Sequence, residues 1–102
     1  MKDIHEAFTI FKDEFPELYE KYEAFGREVH LNGGPLSEES RSLLKVVISA
    51  ASGHHRALET HLAKAKEIGV AEEEIMHALL LLIPTCGFPT FMEGFSTYKK
   101  IK

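Results

Sequence analysis

The chain has no tryptophan, one cysteine and four prolines in 102 residues. A single cysteine, Cys86, cannot form an intrachain disulfide, so no disulfide framework supports the fold. Sparse cysteine suits a reducing compartment, and the expected location is the cytoplasm. The net charge is −4, with no block of Lys or Arg and no basic stripe, which argues against nucleic-acid binding. No run of about 18 apolar residues is present, so no membrane span is expected. The first stretch, MKDIHEAFTIFKDEF, is charged and amphipathic and lacks the apolar core of a signal peptide. Neither HExxH nor CxxC occurs, and no metal or cofactor is expected. Low-complexity tracts, internal repeats and convincing strands are also missing. Val46-Val47-Ile48 is β-branched, but its flanks are helical.

What is present is helical periodicity. The composition, 44% hydrophobic and 27% charged, is that of an ordinary folded domain, and its length suits one domain over residues 1–102. Ile4, Phe8 and Phe11 recur at helical spacing in residues 3–13. Pro16 suits the first turn of a second helix to about His30, with Leu18, Tyr22, Phe25 and Val29 on one face. Asn32-Gly33-Gly34-Pro35 breaks the pattern. Ser37 is an N-cap ahead of Glu38 and Glu39, opening a helix to about Ser52. Its Val46–Ala51 segment is apolar on most sides, which predicts burial on most sides. Gly53 punctuates, a histidine helix follows from about His54 to Ile68, and Gly69 stops it. Ala71 to Pro84 forms the next helix, Cys86-Gly87-Phe88-Pro89 a turn, and about Thr90 to Lys100 the last helix. The fold class is all-α: an antiparallel helical bundle of five to six helices with short connections. Leu79–Ile83 is either a central helix or, with Val46–Ala51, a subunit interface. These apolar runs are too continuous for a lone small bundle, so self-association is expected.

The candidate chemistry lies in Gly53-His54-His55-Arg56-Ala57-Leu58-Glu59-Thr60-His61. On a helical wheel Leu58, His61 and Ala65 fall within about 40° of His54, so His54 and His61 share the apolar face. His55 and Glu59 form an i, i+4 pair to one side, and Arg56 points away. His61, desolvated on an apolar face, is either a neutral acid–base group or a buried imidazole bonded to a carbonyl. His54 and His61 are about 10 Å apart along the axis, too far for one ion. A metal would need His30 or His77 from other helices, and adventitious metal at His54-His55 is the readier event. Cys86, after a helix C-terminus, is either a small buried hydrophobe or a thiol of interest.

Together, residues 36–101 resemble the carboxymuconolactone decarboxylase family, which includes alkyl hydroperoxidase D-like proteins. The residues that carry the resemblance are Leu36-Ser37, Arg41-Ser42-Leu43-Leu44, His61, Ala65, Gly69-Val70, Glu73-Glu74-Ile75 and Cys86-Gly87-Phe88-Pro89. They span about two thirds of the chain, making 36–101 a family core preceded by N-terminal helices in 1–35. The resemblance implies an all-helical subunit in homotrimers or homohexamers, with sites near subunit boundaries. In the hydroperoxidase branch a Cys-x-x-Cys pair precedes the helix histidine, a second histidine lies between the cysteines, and an upstream glutamate completes a relay. Here those cysteine positions hold His54 and Ala57, the histidine position Arg56 and the glutamate position Ser42. His61 alone is retained. Without the dithiol, a disulfide-based peroxidase cycle cannot run there. The decarboxylase branch matches better at Arg41–Leu44 and Cys86–Pro89, although its histidine five residues before His61 is Arg56 here.

The resulting expectation is a thiol-independent lyase acting on a small carboxylated molecule. His61 is its acid or base, His54 the partner, and Arg56 or His55 the substrate's anion contact. Two alternatives stand beside it. One is hydroperoxide reduction (peroxiredoxin activity) through Cys86; the other is a non-catalytic oligomeric binding module.

Overall fold

The computed structural model describes residues 4–101, with side chains from residue 6. Asp3, where the first helix is expected to begin, and the side chain of Ile4 lie outside the described residues. The described residues are helical, with no strand among them. They divide into two compact units, one up to Pro35 and one from Leu36 onward.

The first unit is a pair of helices, α1 (Ile4–Glu14) and α2 (Pro16–Asn32). Pro16 sits in the first turn of α2, where its missing N–H has no intrahelical partner to lose. Rings join the pair: Phe8 meets Tyr19 edge-on at 5.7 Å between centroids, and the Lys12 ammonium lies 5.1 Å from the Tyr19 ring. The stripe Leu18, Tyr22, Phe25 and Val29 is exposed, and α2 buries no residue.

The second unit opens with α3 (Glu38–Ala51). The Ser37 hydroxyl accepts from the Ser40 N–H at 3.1 Å, the expected cap. Ser42, Val46, Ser49 and Ala50 make the buried stripe. The expectation that Val46–Ala51 is buried on most sides needs correction: Ile48 and Ala51 are exposed and Val47 is half-buried. One chain supplies neighbours on only one side of α3.

Ser52–His54 then turns the chain. Gly53 has φ +73°, a conformation that glycine adopts without steric penalty. Its N–H bonds Ala50 O at 3.2 Å while the His54 N–H bonds Ser49 O at 2.9 Å, the paired bonds of a Schellman ending. Helix α4 (His55–Glu67) therefore starts one residue later than its apolar pattern suggests. Gly69 ends α4 with the equivalent bonds, Gly69 N to Lys66 O and Val70 N to Ala65 O.

The expected helix from Ala71 to Pro84 is divided into α5 (Glu72–Leu80) and α6 (Leu82–Cys86). Pro84 is the cause. It has no N–H to give the Leu80 carbonyl four residues back, and its ring crowds that carbonyl. The chain restarts at Leu82, placing Pro84 in a first turn where no such bond is due. The last helix, α7 (Phe88–Ile101), begins two residues before the expected Thr90.

The core of this unit is Val46, Ala50, Leu58, Leu62, Ala65, Val70, Ile75, Leu79, Leu82, Phe91 and Tyr98. Helix α7 packs against α3, α4 and α6. Its Gly94 is buried, and a Cβ there would lie 3.3 Å from the Ala50 Cβ. That close approach seats α7 against the end of α3, with Glu93 and Thr97 on adjoining positions. Apolar side chains stay uncovered in pairs one turn apart: Leu44 with Ile48 on α3, and Phe88 with Met92 on α7.

Candidate functional site

The end of α3, the start of α4 and the middle of α7 converge on His55. Its half-buried ring is held at both nitrogens. Nδ1 lies 3.2 Å from Thr97 Oγ1, and Nε2 lies 3.2 Å from Glu93 Oε1. Glu93 and Thr97 are one turn apart on α7, so one helical face presents both partners. Thr97 is 3% exposed, and its hydroxyl donates to the Glu93 carbonyl at 3.2 Å. A carboxylate only accepts, so the Nε2–H must donate to Glu93.

This pair borders a cavity of about 170 Å³, whose other walls are Ala50, Ala51, Ser52, Gly53 and Thr90. The room exists because small residues end α3 and because Gly53 turns the chain tightly. At roughly 30 Å³ per water, it holds on the order of six waters, less than an ordinary ligand pocket. The start of α4 adds a feature. It has no acidic residue in its first turn and no side-chain cap, so its positive end is open to an anion.

A second hollow, about 460 Å³, is lined by Glu72, Glu73, Met76, His77, Leu80, Tyr98 and Lys99. Glu72, Tyr98 and Lys99 there are engaged by neighbours. The Tyr98 hydroxyl donates to Glu72 Oε1 at 3.2 Å, and the Lys99 ammonium lies 5.4 Å from the Phe95 ring centroid and 5.9 Å from that of Tyr98. No imidazole–carboxylate pair forms there.

The residues singled out in sequence separate in space. His54 is not on the apolar face with His61. It is the exposed N-cap residue of α4, drawn out of the helix by the Schellman turn. His61 is half-buried beside the buried stripe of Leu58, Leu62 and Ala65, and lines neither cavity. His55 pairs with Glu93 and Thr97 rather than with Glu59. Glu59 instead faces Arg56, with Nη1 3.6 Å from Oε1. Arg56 is exposed, one residue along from His55. Cys86 is exposed at the end of α6, which overturns the buried-hydrophobe reading, and it too lines neither cavity. His30 Nδ1 lies 2.7 Å from Gly26 O within α2. Among the described residues no three His, Cys, Asp or Glu side chains gather as a metal site requires.

Glu93, Thr97 and Thr90 escape the sequence reading. One signal was available for the first: Glu93 is the only acidic residue in the stretch Phe88–Ile101. Nothing in the sequence ties it to a histidine 38 positions earlier.

Two further features belong to α3. Ser42 is 7% exposed, and its Oγ has no hydrogen-bond partner among the described residues. Burial, followed by the neighbouring charges of Arg41 and Lys64, lowers the Lys45 pKa from its ordinary 10.5.

Residues 16–99 match the carboxymuconolactone decarboxylase family. The chain belongs to that family. The match takes in α2 and the whole His55–Glu93–Thr97 constellation. An uncharacterized protein of Methanocaldococcus jannaschii is 27% identical over 97 residues, spanning 94% of this chain and 92% of the relative. No solved structure gives a significant match. As a carboxymuconolactone decarboxylase family protein, the chain has the all-helical subunit that the resemblance implies. No helix of the described residues is long and apolar enough to cross a membrane.

Proposed function

We propose that this carboxymuconolactone decarboxylase family protein carries out thiol-independent proton transfer on a small carboxylated molecule, with His55 as the acid–base group. The observation that carries the reading is the His55–Glu93 pair at the cavity mouth, Nε2 to Oε1 3.2 Å. In this reading the acid–base role that the family resemblance implies for His61 is given to His55, because His55 borders a space where a substrate atom can sit.

The family name denotes removal of a carboxyl group. In that reaction, loss of CO₂ leaves an electron pair on carbon, as an enolate where a carbonyl is conjugated. The carbon then takes a proton. His55 Nε2–H is placed to give it, and solvent restores the proton through the Glu93 side chain, which is 69% exposed. The open first turn of α4 and the Arg56 guanidinium supply anion contacts for the carboxylate. His54, the N-cap residue of α4, is an accessory imidazole.

The same reading has the subunit working as a homotrimer or homohexamer. The exposed pairs Leu44–Ile48 and Phe88–Met92 support it, since exposed apolar patches on folded chains mark contact surfaces. So does the cavity's size, which leaves room for walls from another copy.

The test is a panel of small carboxylated lactones and unsaturated acids, read by CO₂ release and substrate loss. His55→Gln is expected to lower turnover by roughly 10²-fold or more and Cys86→Ser to leave it intact. The opposite pattern would discard the proton-transfer reading.

A further inference from the structure

We infer that the exposed apolar stripe of α2 is one half of an antiparallel two-helix seam, whose other half is α2 of a second copy of this chain. The pairing is independent of the chemistry at His55.

The spacing of the stripe names the kind of partner. Leu18, Tyr22, Phe25 and Val29 follow one another at steps of four, three and four residues. Each is more than half exposed, and α2 buries no residue. A helix lying on a globular core shows a broader apolar face. A strict alternation of four and three is the 3.5-residue period of a coiled-coil seam, which fits another helix. From Leu18 to Val29 the seam runs about 16 Å at 1.5 Å per residue.

Charge selects the occupant. Lys21 and Glu28 border the stripe on one side, each one residue before a seam position. An antiparallel pairing that sets Leu18 against the partner's Val29, and Tyr22 against the partner's Phe25, uses every apolar residue of both stripes. Two aromatic layers then lie inside two aliphatic ones. In that register Lys21 of each helix adjoins Glu28 of the partner subunit, so two pairs of opposite charge form across the two-fold axis. The other border carries Tyr19 and Gly26 and no charge, and Gly26 has open space where a side chain would stand. A parallel pairing would instead put Lys21 beside the partner's Gly26 and leave both charges unmatched.

Both charged groups are available. Lys21 makes no ion pair among the described residues. Glu28 Oε1 accepts from the Asn32 amide at 2.9 Å, which leaves Oε2 open. Seven residues, about 10 Å along the axis, separate the two on one helix, so they cannot pair within a chain. A lipid surface fits α2 poorly, since the helix carries four Glu against one Lys and one Arg and interfacial helices are rich in basic residues.

The experiment is sedimentation equilibrium of the purified full chain over a range of concentrations, with circular dichroism on each variant. Wild type is expected as an even-numbered assembly. Phe25→Glu sets a carboxylate in an inner layer and is expected to halve the assembly's mass. If Phe25→Glu loses helix content, the charge variants decide. Lys21→Glu turns two attractive pairs into two repulsive ones and is expected to raise the dissociation constant about tenfold. Adding Glu28→Lys to Lys21→Glu is expected to restore association. Adding Glu20→Lys instead restores the net charge but not the pair, and is expected to leave association weak.

A monomer or an odd-numbered assembly in the wild type overturns the inference. So does rescue by Glu20→Lys as full as by Glu28→Lys. Unchanged mass in folded Phe25→Glu also overturns it, and a lowered urea midpoint beside that unchanged mass would place the stripe against its own chain. A trimer would sink the seam and leave the proton-transfer reading at His55 untouched.

Discussion

His55 Nε2 stands 3.2 Å from Glu93 Oε1, although 38 residues separate them in sequence. The two side chains are 41% and 69% exposed, so solvent screens the pair. Such a pair contributes at most about 1 kcal/mol to stability. Its value is in placement: an imidazole and a carboxylate share the rim of one cavity.

The first prediction follows from that contrast between stability and chemistry. His55→Gln is expected to lower turnover by roughly 10²- to 10⁴-fold, the usual range for losing an acid–base group. The same variant is expected to shift unfolding free energy by under about 1 kcal/mol. Glu93→Gln keeps the shape and loses the charge, and its effect on turnover is expected to be smaller. Steady-state kinetics and urea denaturation read the two quantities separately. A large stability loss with full turnover would mean the pair is a structural clasp.

Ser42 gives a prediction of opposite sign. Its hydroxyl is buried without a partner, and an uncompensated buried hydroxyl costs about 1–3 kcal/mol. Alanine removes that cost and is also the better helix former. Ser42→Ala is therefore expected to leave the denaturation midpoint unchanged or to raise it. A loss of more than about 1 kcal/mol would show that the hydroxyl is bonded in solution. The position is where the resemblance puts the relay glutamate of the hydroperoxidase branch, so a silent substitution here also fits a protein that does not run that relay.

The elements that carry punctuation were readable from the chain: Ser37 as a cap, Pro16 as a start, Gly53 and Gly69 as stops. Each of these acts through its own backbone and needs no partner from elsewhere. Pro84 misled because its effect falls four residues upstream, at Leu80, inside an otherwise uninterrupted apolar pattern. The site was legible in part. The histidine cluster pointed to the start of α4, and His55 stood among its residues as an anion contact. Its real partners were not, because helical periodicity pairs His55 with Glu59, whereas the packing of Gly94 on Ala50 brings Glu93 and Thr97 from α7. His54 was misplaced by one residue, and that single step moves it from an apolar face to an exposed cap.

Lys45 makes a pH-dependent prediction. Burial and the charges of Arg41 and Lys64 hold its pKa below the ordinary 10.5. The unfolded chain then binds this proton more tightly than the folded one, and the folded state pays the full penalty below the lowered pKa. The penalty fades as pH rises from that lowered value toward 10.5. Lys45→Gln is expected to raise the urea midpoint at neutral pH, with a gain that shrinks through the alkaline window. Midpoints of both proteins measured from pH 7 to pH 10 check it, and a gain that grows with pH would reverse the assignment.

Cys86 tests the thiol alternative directly. It is exposed at the end of α6, so a thiol reagent is expected to label it in the native protein. Access to peroxide is not a catalytic cycle. A sulfenic acid formed there must be resolved by a second thiol, and this chain has no other cysteine. An added dithiol can supply that thiol, but Cys86 lines neither cavity, so organic hydroperoxide supplied with a dithiol reductant is expected to disappear at the uncatalysed rate. Cys86→Ser should leave both that rate and turnover of a carboxylated substrate unchanged, with stability within about 0.5 kcal/mol of the wild type. Peroxide consumption that depends on Cys86 would transfer the chemistry from His55 to the sulfur, with the external dithiol acting as the resolving partner that the chain lacks.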